Sequence, residues 1–168
     1  TLEVIIDTLH GNKKKADELI GHLATIYRYT LDNQKNELVS LSQELSSVEP
    51  VLEVFMSKYP DAVFVEKDNP TGDEYSMVPG TLLILMEHAV IHNLVSANMP
   101  LNFRIRVHNG EMEISHSLNE RIASDANDMS RINNLLKTYN YLSNDEFRRY
   151  AKKRKQFYHI PLLRVEEE

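Results

Sequence analysis

The sequence predicts an α/β fold, a two-layer sandwich in which helices cover one face of a mixed sheet, preceded by a helical hairpin. Three patterns predict it. Apolar residues recur every three or four positions over residues 13–31, as they do on one face of a helix. A mostly apolar, helix-like run spans residues 82–93. Two strand-like segments flank Asn109-Gly110, the turn sequence of a tight β-hairpin.

Residues 1–33 are expected to form two helices around Gly11-Asn12, with Asn12 as the N-cap of the second helix. An apolar stripe runs along that second helix, formed by Ala16, Leu19, Ile20, Leu23, Ile26, Tyr27, Thr30 and Leu31. Such a stripe needs a partner helix. We therefore expect residues 1–33 to project from the rest of the chain and to join two copies as a homodimer through a helical bundle.

The rest of the chain predicts one α/β unit. A short strand at residues 37–41 precedes a helix that begins with a capping box between Ser40 and Gln43 and contains Pro50, which should kink it. Further strands are expected at residues 61–67, 101–108, 111–116, 146–152 and 156–163, with a Pro/Gly/Asp loop at residues 68–74.

Polar residues are embedded in the apolar helix at residues 82–93. They are Glu87, His88, His92 and Asn93. His88 and His92 lie one turn apart and share a face, whereas Glu87 is rotated by about 100° from His88. A helix of this kind can bury its apolar side and present a carboxylate and imidazoles to a pocket, which indicates a functional site.

Composition excludes several classes of protein. The chain has 168 residues, 42% of them hydrophobic and 26% charged, which is enough for one ordinary core. Its net charge of -6 argues against a nucleic-acid-binding domain, because such domains need a basic surface to neutralise phosphates. The chain contains no cysteine, so disulfides, a thiolate nucleophile and a cysteine-based zinc site are excluded.

The longest apolar run, Leu82 to Met86, is far shorter than the roughly 20 residues of a membrane span. The chain begins at Thr1 without a signal-like segment. We therefore expect a cytoplasmic fragment of a longer protein, which leaves room for a membrane anchor elsewhere in that protein.

Residues 86–93, preceded by Val78-Pro79 and followed by Pro100-Leu101, resemble the N box of the GHKL ATPases. They look most like the N box of LytS-type sensor histidine kinases, P-x-x-L-Q-x-L-V-E-N-A-I-K-H-N. Other segments resemble the same family in the same order along nearly the whole chain. These segments are Tyr27–Leu31, Glu37–Leu45, Glu113–Leu118, Ile132–Tyr139 and Phe157–Leu163. No single segment would be specific, whereas the ordered set is.

The resemblance implies a Bergerat-type sandwich, with a histidine-kinase-like ATPase domain at residues 36–168 and part of a dimerisation hairpin at residues 1–35. It implies transfer of the γ-phosphoryl group of ATP to a histidine that would lie just upstream of Thr1. The partners it implies are a response regulator or a partner kinase. Glu87 resembles the catalytic base of the family. Residues at further nucleotide-site positions are His92, Asn93 and Asn134.

Four positions depart from the family pattern, and all fall in the nucleotide site. His88 replaces the asparagine that holds Mg²⁺, and His116 replaces the residue that faces the adenine. Met129 and Arg131 replace two glycines that let the backbone approach the phosphates. Since imidazole is a poor substitute for the oxygen ligands that Mg²⁺ prefers, we expect a kinase-like domain with impaired binding of ATP and Mg²⁺.

Three functions stay open at this point. The first is an active histidine kinase, in which a lid at residues 123–130 covers ATP. The second is a catalytically inactive module that works by dimerisation or by controlling a partner kinase or response regulator. The third is a metal- or ligand-binding regulator that uses His88, His92 and His116, since His88 and His92 have the i, i+4 spacing of helical zinc ligands.

A basic cluster near the end of the chain has two interpretations. It comprises Arg148, Arg149, Lys152, Lys153, Arg154 and Lys155. The cluster is either a solvated hairpin or a surface for an acidic partner or phosphate.

Overall fold

The computed structural model describes residues 13–68, 74–121 and 129–164. Its helices are α1 (Lys13–Asp32), α2 (Leu41–Lys58), α3 (Thr81–His92) and α4 (Met129–Leu142). Its strands are β1 (Val39–Ser40), β2 (Val63–Asp68), β3 (Tyr75–Met77), β4 (Leu101–His108), β5 (Glu111–Ser117), β6 (Arg148–Lys152), β7 (Lys155–Pro161) and β8 (Leu163–Arg164). The predicted helix before Gly11 and most of the predicted lid lie outside the described residues.

A five-stranded sheet forms one layer of the fold, in the order β2-β4-β5-β7-β6. β2 and β4 run parallel while the other neighbours run antiparallel, so the sheet is mixed, as predicted. A smaller sheet, β1-β3-β8, is not predicted from the sequence. β1 lies within the strand predicted at residues 37–41, whereas β3 and β8 have only three and two residues, which is too short for an alternating pattern to be recognised.

Two local predictions are confirmed at the ends of elements. Ser40 Oγ accepts a hydrogen bond from the Gln43 amide at 3.2 Å, and Gln43 Oε1 accepts one from the Ser40 amide at 3.2 Å, so a capping box begins α2. Asn109 and Gly110 adopt φ angles of 50° and 75° and join β4 to β5 in a two-residue turn.

The main core lies between the large sheet and helices α2, α3 and α4. Of these helices, α3 has the largest fraction of buried residues, and its buried residues recur in pairs at helical spacing. They are Thr81, Leu82, Leu85, Met86, Ala89 and Val90. Within the described residues, no helix is long and apolar enough to cross a membrane.

Helix α1 packs along α2 rather than projecting from the domain. Leu19 is buried against Val54 of α2, with Leu23 beside them. Ala16 of the stripe is also buried, whereas other members face solvent: Ile20 is 47% exposed, Tyr27 65% and Leu31 68%. Half of the stripe is therefore used within the chain and half faces solvent, and the homodimer stays a prediction.

Candidate functional site

The first turn of α3 is held by a carboxylate from another helix. Its N-cap, Gly80, has a φ of 77° and no side chain to cap the helix. Glu44 of α2 takes that role: its carboxylate accepts hydrogen bonds from the amides of Leu82 at 2.8 Å and Gly80 at 3.0 Å. A negative charge is favourable there because the helix N-terminus carries a partial positive charge. Glu44 thus fixes where α3 enters the core.

Tyr29 of α1 completes this arrangement by donating a hydrogen bond from its hydroxyl to Glu44. Burial, together with the charge of Glu44, raises the pKa of Tyr29, so the phenol stays protonated and remains a donor. Burial also raises the pKa of Glu44, against its hydrogen bonds from Tyr29, Leu82 and Gly80. Helices α1, α2 and α3 are therefore joined through one buried carboxylate.

A second link ties α4 to the same end of α3. The Tyr139 hydroxyl accepts a hydrogen bond from the Val78 amide at 3.1 Å and lies 3.0 Å from Thr81 Oγ1. Tyr139 is fully buried, and burial raises its pKa. The end of α3 that follows the Val78-Pro79 segment is therefore held by two side chains, Glu44 of α2 and Tyr139 of α4.

A polar cavity of about 250 Å³ lies between the other end of α3, the segment after β5 and strands β6 and β7. Its lining residues are His88, His92, Asn93, His116, Leu118, Glu120, Arg121, Met129, Arg149, Gln156 and Tyr158. Five residues that the sequence analysis assigned to the nucleotide site are among them. We refer to it as the histidine cavity.

The rings of His88 and His92 pack against each other at this cavity in a tilted arrangement, with centroids 4.1 Å apart and planes inclined by 34°. Their shared face was predicted from the helical repeat and is confirmed. The resemblance places His88 where the family has its Mg²⁺-binding asparagine. In the structure, the imidazole of His88 packs against the imidazole of His92.

His116 is 2% exposed and lies on β5 at the cavity. Its Nδ1 donates to the carbonyl of Ser117 at 2.8 Å, which leaves Nε2 as a hydrogen-bond acceptor. Among the described residues, this buried Nε2 has no hydrogen-bond partner. Burial, with a smaller contribution from the charge of Arg149, lowers the pKa of His116 to about 4, although the hydrogen bond to Ser117 acts in the opposite direction. The ring is neutral at physiological pH.

Asn93 has a structural task at the rim of the cavity. Its side-chain amide donates to the Ala89 carbonyl at 2.7 Å and accepts from the Asn119 amide at 2.6 Å. The main-chain carbonyl of Asn93 accepts a hydrogen bond from Arg121 Nε at 2.9 Å. Both ends of the side chain are thus occupied: Nδ2 bonds within α3, and Oδ1 holds the segment after β5 against the end of that helix.

Glu87 points away from the histidine cavity. Its carboxylate forms an ion pair with Arg131 of α4, with Oε2 and Nη1 2.7 Å apart. Both residues line a groove between α2, α3 and α4, where Val54 and Phe55 are neighbours. The helical repeat predicts the angle between Glu87 and His88, but the structure shows that this angle places them at different sites.

The other predicted nucleotide-site residues divide in the same way. Met129 lies in the cavity, where Arg149 approaches its sulfur at 3.4 Å. Arg131 lies in the ion pair with Glu87, outside the cavity lining. Asn134 is exposed on α4 and is also absent from the lining. α4 therefore contributes only its first residue to the cavity.

Three cavity residues come from β6 and β7 and were not predicted: Arg149, Gln156 and Tyr158. The pairing of the strands brings them there, since Gln156 is the register partner of His116 and Tyr158 that of Arg149. The alternation of β7 would have placed Gln156 and Tyr158 on one face, but only the register shows that His116 shares it.

At the positions that the resemblance assigns to Mg-ATP, the residues differ from those of the family. The imidazole of His88 takes the place of the Mg²⁺-binding asparagine, the candidate base Glu87 is paired with Arg131, and the side chain of Met129 lines the cavity. Within residues 13–68, 74–121 and 129–164, no three His, Asp or Glu side chains converge as metal ligands. Metal binding by His88 stays a prediction from the sequence.

Comparisons with known proteins bear on the family. Residues 1–63 match the family model described as histidine kinase. The sensor protein LytS of Staphylococcus saprophyticus is 26% identical over 110 residues, which cover 65% of this chain. The chain spans only 19% of the length of that relative.

Among solved structures, the Acinetobacter baumannii histidine kinase AdeS superposes with a TM-score of 0.51 at 13% identity, over 96% of this chain and 84% of that chain. The histidine kinase ThkA, solved in complex with the response regulator protein TrrA, gives a TM-score of 0.42 at 12% identity, over 87% of this chain and 49% of that chain. The likeness to AdeS confirms the predicted fold. The chain is similar in sequence to a LytS-type sensor protein, and its fold is like that of a histidine kinase.

Proposed function

We propose that the chain is the kinase-like portion of a two-component sensor histidine kinase in which binding of Mg-ATP is impaired. It acts as a signalling module through dimerisation and through contact with a partner kinase or a response regulator. The ion pair between Glu87 and Arg131 carries this proposal.

A general base works only within hydrogen-bond reach of the proton that it takes, about 2.6–3.2 Å or one water away. Glu87 faces the groove between α2, α3 and α4, whereas the histidine cavity lies on another side of α3. Arg131 holds the carboxylate there, and Arg131 stands at a position where active members of the family have glycine. The residue that replaces this glycine therefore restrains the candidate base on a side of α3 that does not face the cavity.

The histidine pair supports the same conclusion from the metal side. Mg²⁺ requires near-octahedral oxygen coordination and gives up its water ligands reluctantly. The rings of His88 and His92 are packed together at 4.1 Å, and the oxygen of Asn93 is already bonded to the Asn119 amide. The end of α3 that would hold Mg-ATP offers no side-chain amide oxygen for the metal.

A module that does not turn over ATP can still transmit a signal through its helices. Tyr29 links α1 to Glu44, and Glu44 holds the amides at the start of α3. A displacement of α1 within a dimer would therefore move a buried charge at the start of the helix that carries Glu87 and His88. We propose this connection as the route from the dimerisation helices to the kinase-like domain.

Autophosphorylation of the full-length protein tests the proposal. With radiolabelled ATP and Mg²⁺, we expect no label on histidine, whereas an intact LytS-type kinase assayed in parallel should be labelled. Labelling at the rate of the intact kinase would show that the site is active and would overturn the proposal.

A further inference from the structure

The turn between β6 and β7 carries four consecutive basic residues, Lys152, Lys153, Arg154 and Lys155, which we call the basic tip. All four are exposed. They occupy the end of a hairpin whose outer strand, β6, is the edge of the large sheet and is exposed at every residue. Nothing in the account of the histidine cavity requires this concentration of positive charge.

The backbone of the basic tip is unfavourable for its residues. Lys153 and Arg154 adopt φ angles of 49° and 58°, in the left-handed region that side chains with a Cβ atom rarely adopt. The same chain makes the same kind of turn with Asn109 and Gly110, the residues that this conformation favours. Folding alone would be better served by Asn-Gly at both turns.

The side chains of the basic tip are also placed unfavourably. Lys152 and Lys155 are register partners at the last pair of the hairpin, so two like charges stand directly opposite each other. Like charges in that position destabilise a hairpin. The strained turn and the opposed lysines therefore both lower the stability of this hairpin.

No carboxylate within the described residues compensates for this cost. Of the six residues of the basic cluster, Arg148 forms an ion pair. Its partner is Glu111 of β5, at 2.7 Å, and Arg148 lies at the other end of β6 from the tip. In the basic tip, Arg154 Nη2 donates to the side-chain amide oxygen of Asn119 at 3.4 Å, and none of the four residues forms an ion pair with another described residue. Features that cost stability and are not compensated by ion pairs among the described residues are typical of functional surfaces.

We propose that the basic tip binds the anionic surface of a lipid bilayer. The tip is the exposed end of a hairpin and lines no part of the histidine cavity, so it suits a broad plane of charge better than a single enclosed anion. Three of its four residues are lysines, flexible point charges suited to diffuse attraction, whereas bidentate recognition of individual phosphates favours arginine. The proposal is independent of whether the nucleotide site works.

Nucleic acid is a poorer partner for this surface. A duplex or a long single strand extends well beyond one turn, and the chain as a whole has a net charge of -6. Only residues within about one Debye length of the anionic surface contribute, about 8 Å at physiological ionic strength. A projecting tip can satisfy that condition at a membrane while the acidic remainder stays further away.

Vesicle co-sedimentation tests the proposal. The chain should sediment with phosphatidylcholine vesicles that contain phosphatidylserine and not with pure phosphatidylcholine vesicles. Raising the ionic strength from about 0.1 M to about 1 M, which shortens the Debye length from about 10 Å to about 3 Å, should release it. Equal binding to both vesicles, or binding that withstands the salt, would overturn the proposal.

Two variants separate a binding role from a structural one. Lys153→Asn with Arg154→Gly, which copies the other hairpin turn, should weaken vesicle binding about 30-fold while raising the melting temperature. Lys152→Ala with Lys155→Ala removes the opposed charges. This variant should likewise weaken vesicle binding and raise the melting temperature. The matched control is Lys13→Ala with Lys14→Ala, two exposed lysines on α1, and should leave binding unchanged.

Two outcomes would overturn the proposal. In the first, the tip variants bind vesicles as the unmodified chain does. In the second, the tip variants lose single-stranded DNA binding while binding to both kinds of vesicle is absent throughout, which would reassign the surface to nucleic acid.

Discussion

The carboxylate of Glu87 and the guanidinium of Arg131 lie 2.7 Å apart, on a side of α3 that does not face the histidine cavity. The pair joins two positions that the sequence resemblance had assigned to one nucleotide site. The pair holds the candidate base, Glu87, away from the cavity. It also gives an ion-pair partner to Arg131, which replaces a glycine of the family. The proposed loss of Mg-ATP binding follows from this ion pair together with the packing of His88 against His92.

Replacing Glu87 should have a small effect on folding and none on nucleotide binding. The side chains of Glu87 and Arg131 are 33% and 54% exposed, so we expect Glu87→Gln to lower the free energy of unfolding by less than about 1 kcal/mol in urea titrations. Glu53→Gln, an exposed position on α2, is the matched control. Loss of nucleotide turnover in Glu87→Gln with unchanged stability would mean that Glu87 acts as a base.

Removing the Tyr29 hydroxyl should destabilise the fold more strongly. In Tyr29→Phe, the buried carboxylate of Glu44 loses a charge-assisted hydrogen bond, which should lower the free energy of unfolding by about 1.5–3 kcal/mol. Hydrogen exchange of the Gly80 and Leu82 amides should become faster. Tyr27→Phe, on the same helix and 65% exposed, should change neither quantity. Equal effects of the two substitutions would contradict the account of this link.

The stability of the fold should decrease in acid because of His116. Its folded-state pKa of about 4 lies below the unfolded value of 6.5, so between these pH values only the unfolded chain takes up the proton. The contribution of His116 to the free energy of unfolding is complete above pH 6.5. It is lost as the pH falls towards 4, which lowers the free energy of unfolding by roughly 3 kcal/mol.

Urea unfolding across this pH range measures the effect. The non-titrating variant His116→Phe should show a flatter dependence on pH, whereas His108→Gln, at an exposed position, should keep the slope of the unmodified chain. A slope that His116→Phe leaves unchanged would show that another group dominates.

The exposed half of the α1 stripe should join two copies of the chain. Light scattering is expected to give the mass of a dimer at roughly 10 µM, where even a modest interface associates. Leu31→Glu should give monomers, since Leu31 is 68% exposed on α1. Phe64→Glu, at a position that is 50% exposed on β2, is the control and should leave the dimer intact. A monomeric unmodified chain would remove the dimer from the proposed function and leave the fold unaffected.

Local features were predictable because neighbouring residues determine them. The capping box of Ser40 and Gln43 and the turn at Asn109-Gly110 depend on a few adjacent positions, and both are confirmed. The shared face of His88 and His92 follows from the helical repeat in the same way.

Features that depend on packing between distant segments were not predictable. The sequence specifies the angle between Glu87 and His88 but not which of them faces the cavity, because that depends on how α3 is rotated against the sheet. Gln156 reaches His116 only through the register of β5 and β7, which one sequence does not reveal. The role of Glu44 was missed because the carboxylate caps a helix 36 residues further along the chain.

A calorimetric titration with ATP, with and without Mg²⁺, tests the central claim most directly. We expect the unmodified chain to bind Mg-ATP with a Kd weaker than about 1 mM. Restoring all four family residues, with His88→Asn, His116→Asn, Met129→Gly and Arg131→Gly, should give Mg²⁺-dependent binding in the micromolar range. Single reversions should do little, because each restores one requirement of a site that needs all of them. Mg²⁺-dependent micromolar binding by the unmodified chain would contradict the account.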